Sequence, residues 1–411
     1  MVTQWYDPET ASAVVPGIIA RSLHDRGHEI DVLTGIPNFP SGNVHSNYHI
    51  RPYQRETLQG ITVHRAPLYP SHDPRALKRV ANYLSFATSA SAVGLRALRD
   101  VDALLVYSTP ATVALPAMVM RAVRGIPYVL FVPDLWPQTV TATDLVRPAT
   151  SAHLERVLHH FCDAVYSRAS SIVVTSPGMV DLIVARGVDP EKISVVTNWV
   201  DEGAFFPSPP DADFAKNLDS DREFTVMYAG NFGAAQGLEV VMEAAALLRD
   251  RRDVGFVMVG SGVAERGLRD MVTKLRLDNV RFVGPQPMSE MAGVLSHGDI
   301  QLVSLRDAPL FRTTMPSKVQ ATMAAGRPII GVVSGDAADV IVESGTGVAV
   351  PPGDSGALAD AIRAACALTT SELNARGANG RDYYLKNMSQ HVNSERLSLL
   401  LETASNMRAP G

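Results

Sequence analysis

Residues 224–237 read Phe224-Thr225-Val226-Met227-Tyr228-Ala229-Gly230-Asn231-Phe232-Gly233-Ala234-Ala235-Gln236-Gly237, and a helical pattern begins at Leu238. An apolar run, a glycine-rich turn and then a helix are the parts of a parallel strand and its crossover. Glycines in such a turn let the backbone approach an anion and leave N–H groups free to point at it. An ordinary tight turn reads the same way, so both readings stay open at this point. Gly260-Ser261-Gly262 closes the next apolar run alike, but the following glycine is Gly267, so the GxGxxG spacing of a dinucleotide site is missing.

Downstream the alternation continues through strand candidates Gly255–Val259, Val280–Val283, Ile300–Leu305, Pro328–Val333 and Val348–Val350. Upstream an equivalent series runs through Ile30–Thr34, Ile61–Ala66, Ala103–Ser108, Tyr128–Val132, Ile172–Thr175 and Ile193–Thr197. Helix-length segments separate the runs. The clearest places Val14, Val15, Ile18, Ile19 and Leu23 on one face and ends at Gly27. The expectation is therefore an α/β chain of two doubly wound, Rossmann-like domains that face each other across a cleft, with ligands at the carboxyl ends of both sheets. The first spans residues 1–205. Pro-rich and acidic residues 206–222 read as a linker, and the second spans 223–385. Only Met1–Gln4 precede the Trp5-Tyr6-Asp7-Pro8 loop, which is short for a first strand. Either that strand is weak or the natural chain starts upstream.

The 411 residues are 46% hydrophobic and 19% charged, which excludes disorder and a coiled coil. Two distant cysteines, Cys162 and Cys366, exclude a disulfide scaffold and a zinc ribbon. No apolar run reaches the ~18 residues of a membrane span, and the start lacks the pattern of a signal peptide. A cytoplasmic protein is expected, with contact at the inner face of the membrane left open. The charge is uneven. Residues 1–200 carry 17 Lys and Arg against 16 Asp and Glu, while residues 201–411 carry 20 against 26. Nucleic acid is not an expected partner.

In the second half, Met315-Pro316-Ser317-Lys318 opens a helix that ends at Ala324-Ala325-Gly326. A cation in the first turn opposes the helix dipole unless an anion joins both, so Lys318 is either a phosphate ligand or a solvated lysine. In the first half, Tyr128–Val132 runs into Pro133-Asp134-Leu135-Trp136-Pro137-Gln138. There Asp134 either orients or deprotonates a hydroxyl or caps a turn. Pro37-Asn38-Phe39-Pro40-Ser41-Gly42 reads as a rigid loop, either a substrate lip or a turn. His159-His160-Phe161-Cys162-Asp163 lacks a second ligand pair, so no metal is expected there. Neither a GxSxG nor a Walker motif is present. Residues 75–99 mix Arg75, Lys78, Arg79, Arg96 and Arg99 with Tyr83, Leu84 and Phe86, which suits either anionic lipid or a plain amphipathic helix.

Taken in order, several patches resemble the retaining glycosyltransferases of family 4, of GT-B fold, and within them the bacterial surface-polysaccharide, N-acetylfucosamine transferase-like branch. They are Asp7-Pro8-Glu9 with Arg26–Thr34, Pro37–Gly42, Asp134-Leu135-Trp136-Pro137, and Met315–Lys318 with Met323–Pro328. Thr197–Asp201, Gly230-Asn231 and Asn279–Gly284 add to the match.

The resemblance implies a nucleotide-sugar donor, a UDP-sugar, in the second domain and an acceptor in the first. It also implies a C-terminal helix within 386–411 packing back on the first domain. Asn231, Gly233, Gln236, Arg312, Thr313, Thr314, Ser317 and Lys318 would take the donor, with Gly284 near the base. Asp134 and Lys318 would be catalytic, and Asn38, Phe39 and Trp136 would lie on the acceptor side. Two family glutamates stand here as Thr313 and Ala321, the turn's usual Arg and Lys as Asn231 and Gln236, and the histidine before Asp134 as Pro133. Positive charge at the diphosphate then falls to Lys318 and Arg312, with no metal expected and no cofactor besides the donor. The implied acceptor is a polyprenyl-linked sugar or a soluble metabolite such as an antibiotic. A nucleotide-sugar 2-epimerase and a non-catalytic nucleotide-sugar binder remain as alternatives.

Overall fold

The computed structural model describes residues 1–9, 11–71, 76–136, 151–218 and 222–408. Pro137, Gln138 and Arg75 of the sequence reading lie outside them. The chain forms two compact units, Met1–Asn198 with the chain from Asn393, and Trp199–Val392.

The first unit contains β1 (Asp31–Gly35), β2 (Gln54–Leu58), β3 (Ile61–Ala66), β4 (Leu104–Tyr107), β5 (Tyr128–Val132), β6 (Ser171–Val174) and β7 (Ile193–Val195). They pair in the orders β2-β3-β1 and β4-β5-β6-β7. The chain start joins the two groups. Val2 N–H donates to Leu105 O at 2.8 Å, and Thr3 N–H to Leu33 O at 3.1 Å. Val2 alone bridges both neighbours, Leu33 and Val106, so the first strand is the weak one expected. β4 and β5 are buried throughout, as parallel strands under helices must be. Val2, Leu33, Phe86, Met120, Tyr128 and Ile172 belong to this unit's core.

The sequence reading missed β2. Its residues Gln-Arg-Glu-Thr-Leu alternate half-buried and exposed, and it pairs antiparallel with β3 alone. An edge strand needs no apolar run. Gln59 and Gly60, with φ of 50° and 83°, make the tight turn that joins the hairpin.

The second unit holds β8 (Phe224–Ala229), β9 (Val254–Val259), β10 (Val280–Val283), β11 (Ile300–Ser304), β12 (Ile329–Val332) and β13 (Gly347–Val350). Their order is β10-β9-β8-β11-β12-β13, with every neighbouring pair parallel. Strand order reverses between β8 and β11, which opens a crevice at the carboxyl ends of these two strands. Ala325 caps the helix Ser317–Ala324, and Gly326 follows with φ of 65°. A Cβ on Gly377 would stand 2.1 Å from Gly326 O, so the glycine at 377 is what lets that chain lie against the end of this helix.

The expected linker is a correction. The change of unit falls between Asn198 and Trp199. Within 206–222 a helix, Ala212–Leu218, buries Phe214 and Leu218 beside Met227 and Val257 of the second unit. Two apolar residues four apart are enough to seat that short helix, although the segment is polar on average. Residues 219–221 lie outside the described residues. At the other end, the helix Gln390–Asn406 joins the first unit from Asn393 onward. Asn393 Nδ2 donates to Thr197 Oγ1 at 3.0 Å, and Arg26 Nε to Ser394 Oγ at 2.8 Å.

Candidate active site

In the second unit Lys318 lies in the first turn of the helix Ser317–Ala324, a turn that contains no acidic residue. Its ammonium crosses the glycine-rich turn after β8. A Cβ on Gly230 would stand 2.4 Å from Lys318 Cε and 2.9 Å from Nζ, and Gly230 has φ of 145°. A side chain at position 230 is thus excluded twice, by backbone conformation and by the lysine. Lys318 Nζ also sits 5.1 Å from the Tyr228 ring centroid, and Tyr228 Oη donates to Asn231 O at 2.8 Å. Among the described residues no carboxylate pairs with Lys318, and burial lowers its pKa from 10.5 to about 8. A desolvated cation at a helix N-terminus, with no counter-ion, is arranged for an anion.

Three further residues named from the sequence meet beside it. A Cβ on Gly233 would stand 2.5 Å from Gln236 Oε1 and 2.8 Å from Asn231 Nδ2. Gln236 Oε1 is buried without a hydrogen-bond partner. Gly260 and Gly262, at the carboxyl end of β9, let that turn lie against this one. Their Cβ atoms would stand 2.0 Å from Gly230 O and 2.5 Å from Phe232 O.

The remaining donor-side candidates are less convergent. Thr313 and Thr314 hydroxyls both donate to Leu310 O, at 3.2 and 2.9 Å. Arg312 is exposed and pairs with Asp307 at 3.2 Å. Ser317 is exposed. Gly284 follows β10, two strands from β8, with no atom within 4 Å of an added Cβ.

In the first unit Asp134 follows β5. It is exposed by surface area, yet the atoms crowded around it desolvate the carboxylate and raise its pKa, while the Thr109 hydroxyl acts in the opposite direction. Asp134 and Trp136 line a small hollow with Ser108, Leu130, Cys162 and Tyr166. Asn38 is buried and donates from Nδ2 to Ile36 O at 2.8 Å. The Phe39 ring lies 5.3 Å from that of Trp5. The histidine cluster has local uses: His160 Nδ1 contacts Arg156 O at 2.7 Å, and Cys162 is buried, its thiol pushed up to about 11.

Sequence reasoning missed what holds these loops. The Glu9 carboxylate accepts N–H bonds from Tyr6 at 3.1 Å, Asn38 at 2.7 Å and Phe39 at 2.9 Å. Arg65, fully buried, donates to Asp7 O at 2.6 Å and Gly35 O at 3.1 Å, and pairs with Glu56. A charged residue inside the apolar run Ile61–Ala66 was the available signal for Arg65.

Two doubly wound units, one with an unpaired lysine over a glycine-rich turn, are the build of the GT-B glycosyltransferases. A family model described as glycosyl transferase 4-like domain matches residues 12–199, and one described as glycosyl transferases group 1 matches residues 223–367. The chain belongs to the glycosyltransferases of this type. It is similar to the probable glycosyltransferase WbjE of Pseudomonas aeruginosa, 28% identical over 73% of this chain and 74% of that one. It is likewise similar to the putative colanic acid biosynthesis glycosyl transferase WcaI of Escherichia coli, 29% identical over 78% of this chain and 79% of that one. Among solved structures, HepE of Anabaena in complex with UDP and glucose shares the fold. Its TM-score is 0.68 at 17% identity, over 98% of each chain. Among the described residues no helix is long and apolar enough to cross a membrane.

Proposed function

We propose that this glycosyltransferase moves a sugar of the N-acetylhexosamine type from a UDP-sugar to a hydroxyl acceptor, with retention at the anomeric carbon and without a metal ion. The reaction belongs to the assembly of a cell-surface polysaccharide or glycolipid. The observation that carries the donor reading is the unpaired, desolvated Lys318 ammonium across Gly230. The UDP complex of HepE supports the choice of nucleotide, and the colanic acid assignment of WcaI supports the polysaccharide context. Retention and the donor's sugar class rest on the family resemblance.

In the reaction the bond from the sugar's anomeric carbon to the diphosphate oxygen breaks, and its electron pair leaves with UDP. Lys318 and the N–H groups of the turn around Asn231–Gly233 stabilise that charge as it develops. The acceptor oxygen bonds the same carbon and gives up its proton. Asp134 is assigned to orient this hydroxyl or to take the proton, and a raised pKa suits that task. Ribose recognition falls to Thr313, Thr314 or backbone groups, and Arg312 supplements Lys318.

The test is a panel of UDP- and GDP-sugars incubated with the protein in EDTA, with and without glycan acceptors, followed by mass spectrometry. Release of UDP that accelerates with acceptor, with EDTA present, supports the proposal. A strict requirement for GDP-sugars or for added Mg²⁺ overturns the corresponding part. Epimerised sugar formed from donor alone identifies an isomerase instead.

A further inference from the structure

We propose that Glu9 is a positioning residue of the first unit: its ionised carboxylate clasps the loop of Trp5 and Tyr6 to the loop of Asn38 and Phe39, and protonation opens that clasp, so that acceptor use is lost on acidification while donor binding is kept. This rests on the reading that Asn38 and Phe39 lie on the acceptor side.

The two oxygens of Glu9 are used unequally. Oε1 accepts from Asn38 N–H at 2.7 Å and Phe39 N–H at 2.9 Å, and Oε2 accepts from Tyr6 N–H at 3.1 Å. Asn38 and Phe39 follow β1, whereas Tyr6 and Glu9 follow the chain start, which bridges β1 in parallel at Leu33. Both loops therefore leave the sheet at its carboxyl end, where ligands bind in doubly wound folds. Glu9 is 3% exposed, so water does not replace a partner that is lost. The clasp also sets side chains beyond itself. The Trp5 ring lies 5.3 Å from that of Phe39 at 48°, and 6.4 Å from that of Tyr83. Trp5 and Phe39 are half-buried, so part of each ring faces outward.

All three partners are N–H donors, and an ionised carboxylate, which only accepts, satisfies them together. A neutral carboxyl carries an O–H on one oxygen. The proton falls on Oε2, which serves one donor, rather than on Oε1, which serves two. The new O–H and Tyr6 N–H then face each other as donors, and that bond is lost. The bonds to Asn38 and Phe39 persist, so the loop of Trp5 and Tyr6 is the one released. Burial favours the neutral form and lifts the Glu9 pKa to about 7, against the pull of the three N–H bonds and of Arg65. The other charged and titratable groups nearby are held in pairs. Arg65 of β3 pairs with Glu56 of β2, and its guanidinium lies 4.7 Å from the Tyr48 ring centroid. Asp7 pairs with Arg21 of the helix Val15–Asp25. Burial pushes the Tyr6 hydroxyl up to about 12, so it stays neutral while Glu9 titrates. Arg65 also donates to Asp7 O and Gly35 O. Those carbonyl contacts outlast the proton on Glu9, which makes the opening local.

The tryptophans of the chain are Trp5, Trp136 and Trp199. Intrinsic fluorescence of the intact protein is followed from about pH 5 to 9, with Trp5→Phe as the control that assigns the signal. A transition centred near pH 7 is expected in wild type and in neither Trp5→Phe nor Glu9→Gln. Deuterium exchange, corrected for its intrinsic pH dependence, should show the segment around Tyr6 losing protection at pH 6 relative to pH 8. Glu9→Gln keeps a carbonyl for Asn38 and Phe39 but turns an N–H toward Tyr6, so at pH 8 it should match wild type at pH 6. The functional arm uses the UDP-sugar and glycan acceptor that give the fastest UDP release in the panel above. The wild-type KM for that acceptor should rise about tenfold from pH 8 to pH 6, following the ionised fraction for a midpoint near 7. Glu9→Gln should show the raised KM at both pH values, with the UDP affinity of wild type at each. A merely structural Glu9 would lower stability without that step in KM. No transition near pH 7, or one that Glu9→Gln keeps, overturns the clasp. A UDP affinity that falls with the acceptor KM effect in Glu9→Gln marks a general loss of structure and overturns it too. A loop transition without a change in acceptor KM, or a panel in which no acceptor speeds UDP release, overturns the positioning role and places the failure in the acceptor reading.

Discussion

Replacing Lys318 separates a binding group from a structural one. Burial shifts its pKa from 10.5 to about 8. At about 1.4 kcal/mol per pH unit, the unliganded fold carries on the order of 3 kcal/mol against the charged form. Lys318→Met removes that charge, keeps the chain's bulk and leaves the Gly230 contact apolar. The unliganded variant should therefore be as stable as wild type at pH 7 or more stable, with about 3 kcal/mol as the upper limit. Turnover with donor should fall by about 100- to 1000-fold, the usual loss when one preorganised charge stabiliser is removed. The pH dependence gives a second handle, and its two signs oppose. The unfolded chain holds this proton more tightly than the folded one between pH 8 and 10.5, so wild-type stability gains from this group as pH rises through that window. Over the same rise the ammonium is lost, so kcat/KM for the donor should fall above about pH 8. Lys318→Arg should move that fall to higher pH. Denaturant titrations and initial rates from pH 6 to 10 measure both. Near wild-type turnover in Lys318→Met, or a high-pH limb that Lys318→Arg leaves in place, would refute the role.

Gly230→Ala should weaken UDP binding by calorimetry, because its Cβ meets Lys318 Cε at 2.4 Å and must displace the ammonium; unchanged affinity would mean that the lysine need not lie there. Asp134→Asn should lower kcat while leaving UDP affinity intact, and should flatten the acid limb that a raised carboxylate pKa produces; an unchanged pH–rate profile would remove it from proton transfer. Glu9→Ala strands two buried N–H groups and one half-buried one and should cost about 2–4 kcal/mol in urea titrations. Burial raises the Glu9 pKa to about 7, so the folded state holds that proton more tightly, and wild-type stability should decline between pH 4.5 and 7 from this group. Glu9→Ala should lack that decline, and a parallel slope in the variant would assign the titration elsewhere.

What could be read from the sequence follows from how each element is stabilised. Runs such as Tyr128–Val132 and Val254–Val259 are buried throughout, so apolarity alone reveals them. β2 escaped because an edge strand pairs on one side and keeps polar residues. The helix Ala212–Leu218 escaped because, among its described side chains, Phe214 and Leu218 alone are buried. Lys318 was legible because a cation in a first helical turn breaks an electrostatic rule. Its place over Gly230 was not, because two loops 88 residues apart meet only in the folded unit. Glu9 looks like one acid among many in the sequence. Its importance lies in three backbone donors contributed by two loops.

The charge imbalance takes on a definite meaning once the sites are placed. Residues 201–411 carry 20 basic against 26 acidic residues, yet this part holds the proposed site of a dianionic donor. Long-range attraction thus cannot be the source of affinity, and the work falls to groups within hydrogen-bonding range, where screening is weak. Lys318 sits in the first turn of a helix, without an acid in that turn, and among the described residues it has no carboxylate partner. This cation opposes its own helix dipole, a local cost that only a bound anion offsets. Added salt should therefore weaken encounter with the donor little, because no extended field draws it in. A charge-removing substitution at Lys318 should still abolish discrimination between UDP and uridine. A steep salt dependence of UDP association in the wild type would contradict this local account.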